Sequence, residues 1–464
     1  MDEHVPSGAR IAEAEEFLAR HPDIEAIDIV IVDPNGIGRG KMIRRHELLS
    51  LYRDGRHLPT SILGLDVTGE DVEETGLVWH NGDGDQVVWP VPGTLKPLTW
   101  TSPPRGQVMV SMYDLEGVPS AADPRHALTR QLALLQKRGL HPAGAFELEF
   151  FLFAGERGPD GMLRAAPATL DGRPSNGTQV YGLEELDGMQ GLFGDIYAAA
   201  AAQDLPLESL ISEYAPGQYE LTLHYRTDFA RAADDLVILK RLVRGVARRH
   251  GITACFMAKP LPSYAGSGMH LHMSLVDEQG TNVYAETTPG HLTDTLRHSV
   301  GGLLATMADS MIIFAPHANS WRRFAAKSYA PVAPNWGVNN RSVAIRVPAG
   351  NVRARRFEHR VAGVDANPYL VGATILSGLR SGLEHGLDPG TPVTGNGYES
   401  VDRSKITIPR DWRSAIDLAR ASDFLRQALG ETLHRSYVAI KEAEFFRVAS
   451  EVSEIDYRLY LDLI

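Results

Sequence analysis

Phe146-Glu147-Leu148-Glu149-Phe150-Phe151 alternates large apolar side chains with carboxylates. Successive side chains of a strand point to opposite faces, so the run predicts a strand. Glu147 and Glu149 share one face, and Phe146, Leu148 and Phe150 share the other. Two carboxylates projecting from so apolar a strand repel each other and lose hydration unless a cation or a base neutralises them. An exposed polar sheet face is the ordinary alternative, and the rest of the chain bears on the choice.

The alternation recurs downstream. In Gly266-Ser267-Gly268-Met269-His270-Leu271-His272-Met273-Ser274, His270 and His272 fall on one face, opposite Met269, Leu271 and Met273. A His-x-His pair can ligate a metal, or one ring can ligate while the other meets a nucleotide. Glu213 and Glu220 flank a Pro-Gly turn, Pro216-Gly217. In Arg353-Ala354-Arg355-Arg356-Phe357-Glu358-His359-Arg360, alternation groups Arg356, Glu358 and Arg360, with Arg322, Arg323, Arg341 and Arg346 upstream. Arginine's planar fork matches carboxylate and phosphate. Five carboxylates with one histidine make a hard, oxygen-rich site for Mg²⁺ or Mn²⁺, and divalent ions beside arginines suit phosphoryl transfer from ATP.

The frame around these motifs is that of a globular enzyme. The chain has 464 residues, 43% hydrophobic and 22% charged, too long for one ordinary domain. Its formal charge, 46 minus 58 or −12, argues against nucleic acid or an anionic membrane as the main partner. The single cysteine, Cys255, excludes an internal disulfide and points to a reducing, cytoplasmic setting; it reads as a small buried residue. Met1-Asp2-Glu3-His4 carries no apolar leader, and Val300–Ala315 is too short to span a bilayer.

Local patterns predict a helix over Arg10–Arg20, a strand over Ala26–Val32 and a turn at Asp33-Pro34-Asn35-Gly36, with turn-rich β sequence to about Tyr113. Gly36-Ile37-Gly38-Arg39-Gly40-Lys41 lacks the spacing of a phosphate loop and reads as a hairpin. Asp123 and Pro124 open a helix that Gly139 ends, and helical pattern returns from Trp412 to about Phe446. The mixture predicts an α+β protein: a small β-rich unit over residues 1–112 and a catalytic unit over 113–464.

With Pro216-Gly217-Gln218-Tyr219-Glu220, Lys259-Pro260, Asn340-Arg341-Ser342-Val343-Ala344-Ile345-Arg346-Val347-Pro348 and Ala366-Asn367-Pro368-Tyr369-Leu370 added in the same order, the chain resembles the type I glutamine synthetase family over nearly its whole length. The resemblance implies an N-terminal β-grasp domain, a split-barrel catalytic domain, and a ring-built homo-oligomer, typically a dodecamer, with sites shared between neighbours. It implies two metal sites, one held by Glu149, Glu213 and Glu220 and the other by Glu147, His270 and Glu358. ATP would be held by His272, Ser274, Arg341, Arg346, Arg353 and Arg356, and glutamate by Gly266, Arg323 and Arg360. Arg341 and Arg360 would be catalytic. The implied reaction makes γ-glutamyl phosphate from glutamate and ATP, which an amine then converts to an amide.

Two departures bear on the amine. Ammonia-using members carry an aspartate in an Asp-Gly-Ser-Ser-Ile segment; here Leu58-Pro59-Thr60-Ser61-Ile62 keeps Ser61 without the acid. The flap glutamate before Ala-Pro is replaced in Lys327-Ser328-Tyr329-Ala330-Pro331 by Tyr329, and Ala265 stands where asparagine is usual. A neutral pocket around Ser61 and Tyr329 suits a substituted nitrogen, so the chain is most similar to the γ-glutamyl amine ligases, which use polyamines, ethanolamine, short alkylamines or anilines. A true ammonia-using synthetase and an inactive nitrogen-sensing homologue are the alternatives. Tyr398 lies near the segment where some relatives are adenylylated, and an ordinary loop tyrosine is the expectation there.

Overall fold

The computed structural model describes residues 5–158, 161–168, 177–286, 288, 290–325, 328–399 and 408–464, so Met1–His4 and Lys327 lie outside the described residues. A first sheet contains β1 (Ala26–Val32), β2 (Gly38–Arg44), β3 (Arg56–Pro59), β4 (Asp85–Pro90), β5 (Lys96–Leu98) and β6 (Arg105–Tyr113). Its order is β2-β1-β6-β4-β3 with β5 on β6; β1 and β6 run parallel. The β1–β2 hairpin turns at Asp33–Gly36 as expected. Asp33 Oδ1 accepts from Ile37 N at 2.9 Å, and Gly36 takes φ +76°, which a side chain would strain. The helix Ile11–Arg20 packs on this sheet through Ala14 and Phe17.

The second sheet carries the chemistry. It contains β7 (His141–Ala154), β8 (Leu207–Ser212), β9 (Gln218–Leu223), β10 (Ile252–Cys255), β11 (Leu271–Val276), β12 (Trp336–Val338), β13 (Ile345–Val347) and β14 (Phe357–His359). The order is β12-β13-β14-β11-β7-β9-β8, with β10 on β7. β7 changes partner along its length: His141–Phe146 pair with β11, Glu147–Phe151 with β9, and Phe151–Ala154 with β10. The alternating run sits at that changeover. Phe146, Leu148 and Phe150 are fully buried, each worth about 2 kcal/mol of apolar transfer. Against this face packs the long helix Phe229–Arg249, and Phe229 stacks on Phe146 at 5.8 Å.

Asp123 caps the helix Pro124–Gln136 by accepting from Arg125 N. The helical pattern expected from Trp412 to about Phe446 is divided among three helices, Trp412–Ala421, Asp423–Leu429 and Glu431–Ser450. Ser422 caps the second through its side chain, and Gly430, at φ +81°, breaks the chain before the third. This last helix ties back to the first sheet. Lys441, fully buried, donates to Asn35 Oδ1 and to Glu444 Oε2 (2.9 Å), Glu444 accepts from Val67 N at 2.9 Å, and Arg447 pairs with Asp66 at 2.9 Å. Asn367 adds a second tie, donating to Asp33 O at 2.9 Å while capping the helix Pro368–His385. Among the described residues no helix is long and apolar enough to cross a membrane.

Candidate active site

The partner change of β7 brings four chain segments to one point. Glu147 N donates to His270 O and Glu149 N to Gly268 O, which places the His-x-His segment beside the two glutamates. On the other edge Glu149 lies directly opposite Glu220 in the β7–β9 register. Across β11, His272 faces Glu358 on β14, and Glu358 faces Arg346 on β13. The sheet therefore collects carboxylates from three strands, with His270 entering just before β11.

Two donor groups result. Glu147, His270 and Glu358 form one, and Glu149, Glu220 and His270 the other; within each, the ligand atoms lie within 4.8 Å of one another. Glu147 Oε2 meets His270 Nδ1 at 2.9 Å and its Oε1 meets His272 Nε2 at 2.8 Å. Arg356 Nε donates to His272 Nδ1 at 3.1 Å, so the His272 proton sits on Nε2 and is donated to Glu147. Arg346 donates to Glu358 at 2.8 Å, and Arg360 pairs with its other oxygen.

The charge balance is uneven. Burial pushes the Glu147 carboxyl up, but bonds from the two histidines outweigh it and hold it well below its ordinary range. Burial opposes Glu358 too, yet Arg360 and the histidines bring it to about 2. Glu220 has no such help: burial and then the charges of Glu147, Glu149 and Glu213 push it to about 10. Glu213, just beyond β8, is raised to about 7 by burial and then by Glu149. Like charges opposed across a ladder destabilise a sheet. A divalent cation would neutralise such oxygen donors, and the donor set fits a hard ion.

Glu149, Glu213, Glu220 and His270 line a cavity of about 270 Å³ together with Arg323, Arg341 and Arg360, whereas Glu147 and Glu358 do not line it. The Nε atoms of Arg346 and Arg360 are buried without a hydrogen-bond partner, and Arg341 is exposed at the cavity. Arg323 turns its guanidinium to backbone, donating to Val361 O at 2.7 Å and Arg360 O at 3.2 Å, while still lining the cavity. Gly266 also lines it; a Cβ there would stand 2.5 Å from Ala258 O, so the close approach requires glycine. His272 and Ser274 lie two apart on β11, and Arg353 sits in the short turn Val352–Ala354. None of these three lines the cavity. Ser61, in the turn Thr60–Leu63 of the first sheet's layer, does not line it either; its backbone N donates to Asp83 Oδ1 at 3.2 Å.

Aromatic and small side chains also wall the cavity: Tyr181, Tyr214, Tyr329, Val180, Ala265 and Ala330. Tyr214 was not singled out from sequence, although its position directly after Glu213 was a usable signal. Tyr398, read as a loop tyrosine, donates to Ala330 O at 3.0 Å and so braces this wall. A larger groove, about 1110 Å³, runs between the first sheet and the helix Phe229–Arg249. It is lined by none of the predicted site residues, whereas Glu149, Glu213 and Glu220 converge on the smaller cavity.

A family model described as "Glutamine synthetase, catalytic domain" matches residues 121–460. The γ-glutamylputrescine synthetase of Escherichia coli (strain K12) is 37% identical over 446 residues, covering 96% of this chain and 93% of its own. A glutamate–isopropylamine ligase of a Pseudomonas species is 30% identical over 464 residues, covering 98% of each chain. A solved structure titled as a GmaS/ADP complex superposes with a TM-score of 0.83 at 26% identity, covering 97% of this chain and 99% of its own.

Proposed function

The chain belongs to the glutamine synthetase family, whose members are ATP-dependent carbon–nitrogen ligases, and we propose that it joins the γ-carboxyl of L-glutamate to an organic primary amine. The observation that carries this reading is the single cavity in which Glu149, Glu213, Glu220 and His270 meet Arg323, Arg341 and Arg360. Relatives named for putrescine and isopropylamine support the choice of a substituted nitrogen, as does a rim where Tyr329 stands in place of an acid.

Glu147, His270 and Glu358 would hold one Mg²⁺ or Mn²⁺, and Glu149, Glu213 and Glu220 another. A bound divalent ion neutralises charge on the phosphoryl group in transfer. The rest falls to this chain's own groups. Arg341, Arg346, Arg353 and Arg356, with His272 and Ser274, bind and orient ATP, and Arg346 Nε is a donor still free for a phosphate oxygen. Arg360, with a free Nε, and Arg323 and Gly266 position glutamate so that its γ-carboxylate oxygen attacks the terminal phosphorus and ADP leaves. The amine nitrogen, once it has lost a proton, attacks the acyl carbon; phosphate departs and the amide remains. Holding the acyl phosphate out of bulk water protects it from hydrolysis. Ser61 serves the cavity of a neighbouring subunit in a ring-shaped homo-oligomer, a dodecamer in our reading, in the cytoplasm.

The test is phosphate release by the purified protein with glutamate, ATP and Mg²⁺ or Mn²⁺ across a panel of amines, with the product weighed by mass spectrometry. We expect γ-glutamyl amides from substituted amines. Fast turnover with ammonium alone would defeat the amine assignment, and no nucleotide consumption with any donor would defeat the ligase itself.

A further inference from the structure

We propose that Tyr214 and Tyr329 form a clamp that selects primary amines whose nitrogen carries a hydrocarbon arm, an inference that rests on the amide ligation proposed above. Their rings lie 5.4 Å apart at 36°, and their hydroxyls stand 3.4 Å from each other. Both are half exposed, Tyr214 at 42% and Tyr329 at 48%, yet both line the cavity that holds the acids. Aromatic surface open to a cavity next to a dense charge cluster is costly in water and gains by being covered.

The pair is held in place. Tyr214 directly follows Glu213, so its backbone is fixed by the same turn that presents the acid; Glu213 N donates to Gln218 O, and Ala215 N to Gln218 Oε1. Tyr329 adopts φ +58°, a left-handed conformation that a bulky residue takes only when its surroundings impose it. Those surroundings are visible. Ser328 Oγ donates to Ala325 O at 2.6 Å, Ala330 N donates to Ser328 Oγ, and Tyr398 donates to Ala330 O. A strained residue pinned from both sides, with its ring turned onto a second ring, forms a preorganised wall. Val180, Ala265 and Ala330 leave room beside it.

The chemistry of the wall defines its ligand. Tyr181, Tyr214 and Tyr329 bring no carboxylate of their own, so at the rings ammonium finds only the modest pull of their faces on a cation, while a methylene chain laid on them also loses its contact with water. Each methylene covered raises kcat/KM by about fourfold.

The experiment measures kcat/KM for n-alkylamines of one to five carbons, and in parallel for α,ω-diamines, in the full-length protein and in Tyr214→Ala, Tyr329→Ala, Tyr214→Phe and Tyr329→Phe. Expected are a rise with arm length in the wild type, a loss of at least tenfold at the long end in either alanine variant, and retention of the slope in the phenylalanine variants. Tyr214→Gln and Tyr329→Gln, polar side chains that keep some length, should flatten the series as alanine does, and they stand in if an alanine variant fails to fold. Turnover of amines with no dependence on arm length, or a slope that survives in the alanine or glutamine variants, overturns the clamp and leaves the ligation intact. No turnover with any amine overturns the ligation itself.

Discussion

Glu444 and Glu220 are both buried glutamates, 2% and 7% exposed, yet one carboxyl is held at about 2 and the other pushed to about 10. Burial opposes ionisation in each. At the joint between the last helix and the first sheet, Lys441, His317 and Val67 N compensate Glu444 from within the chain. At the strand crossing, Glu220 faces Glu149, with Glu147, Glu213 and Glu358 close enough to add to the repulsion. The joint is complete as folded. In the reading proposed above a bound cation would offset the crossing, and that difference would separate a residue that holds the fold from one that does work.

The largest effect expected from breaking this contrast is on activity. Glu220→Gln should cut glutamate- and amine-dependent phosphate release at least about 100-fold by removing a donor of the metal site proposed above. The same change should raise the stability of the metal-free protein by about 2 kcal/mol at pH 7, because it removes a carboxyl that folding pushes towards protonation. Denaturant melts of the two metal-free proteins check the second half. At the joint the sign reverses: Lys441→Met leaves Glu444 buried without its cation and should cost about 3–5 kcal/mol, read as a lower denaturation midpoint, with no selective loss of amine or ATP affinity in the folded fraction.

A pH series sharpens the comparison further. Glu213 and Glu220, raised to about 7 and about 10, bind a proton more tightly folded than unfolded. Their contribution is full below the ordinary 4.5 and is lost as pH rises through those values. Glu444 and Glu358, lowered to about 2, contribute above 4.5 and lose that contribution as pH falls towards 2. The metal-free protein should therefore melt highest near pH 5 and decline on both sides, and saturating Mn²⁺ should abolish only the alkaline decline. The smallest expected effect is at the second tie. Asn367→Ala removes a helix cap and the bond to Asp33 O, and should cost about 1–2 kcal/mol without altering metal affinity.

The same contrast explains what could be read from sequence. Glu147, Glu149, His270 and His272 announce themselves because strand periodicity puts them on one face within a few residues, and Glu358 does so beside Arg356 and Arg360. The opposition of Glu149 to Glu220 needs the β7–β9 register, which no local pattern encodes. The Lys441–Asn35 bond joins residues far apart in the chain, each unremarkable in its own segment. The C-terminal helical stretch was legible as helix but not as three helices, because apolar periodicity persists through Ser422 and Gly430 while the cap and the positive φ divide it. Tyr214 was hidden for a different reason. Its place after Glu213 marks it as near the acids, but nothing local pairs it with Tyr329, more than a hundred residues on, until the two rings are folded together.

Calorimetric titration of the metal-free protein with Mn²⁺ at pH 7, beside the same titration of Glu220→Gln, addresses the central claim most directly. If the crossing is an acid cage that lacks its counter-charge, the wild type should bind Mn²⁺ with proton release and a raised unfolding midpoint, and the variant should bind at least about tenfold more weakly. Equal binding in the two proteins, or no binding by the wild type at millimolar Mn²⁺, would contradict it.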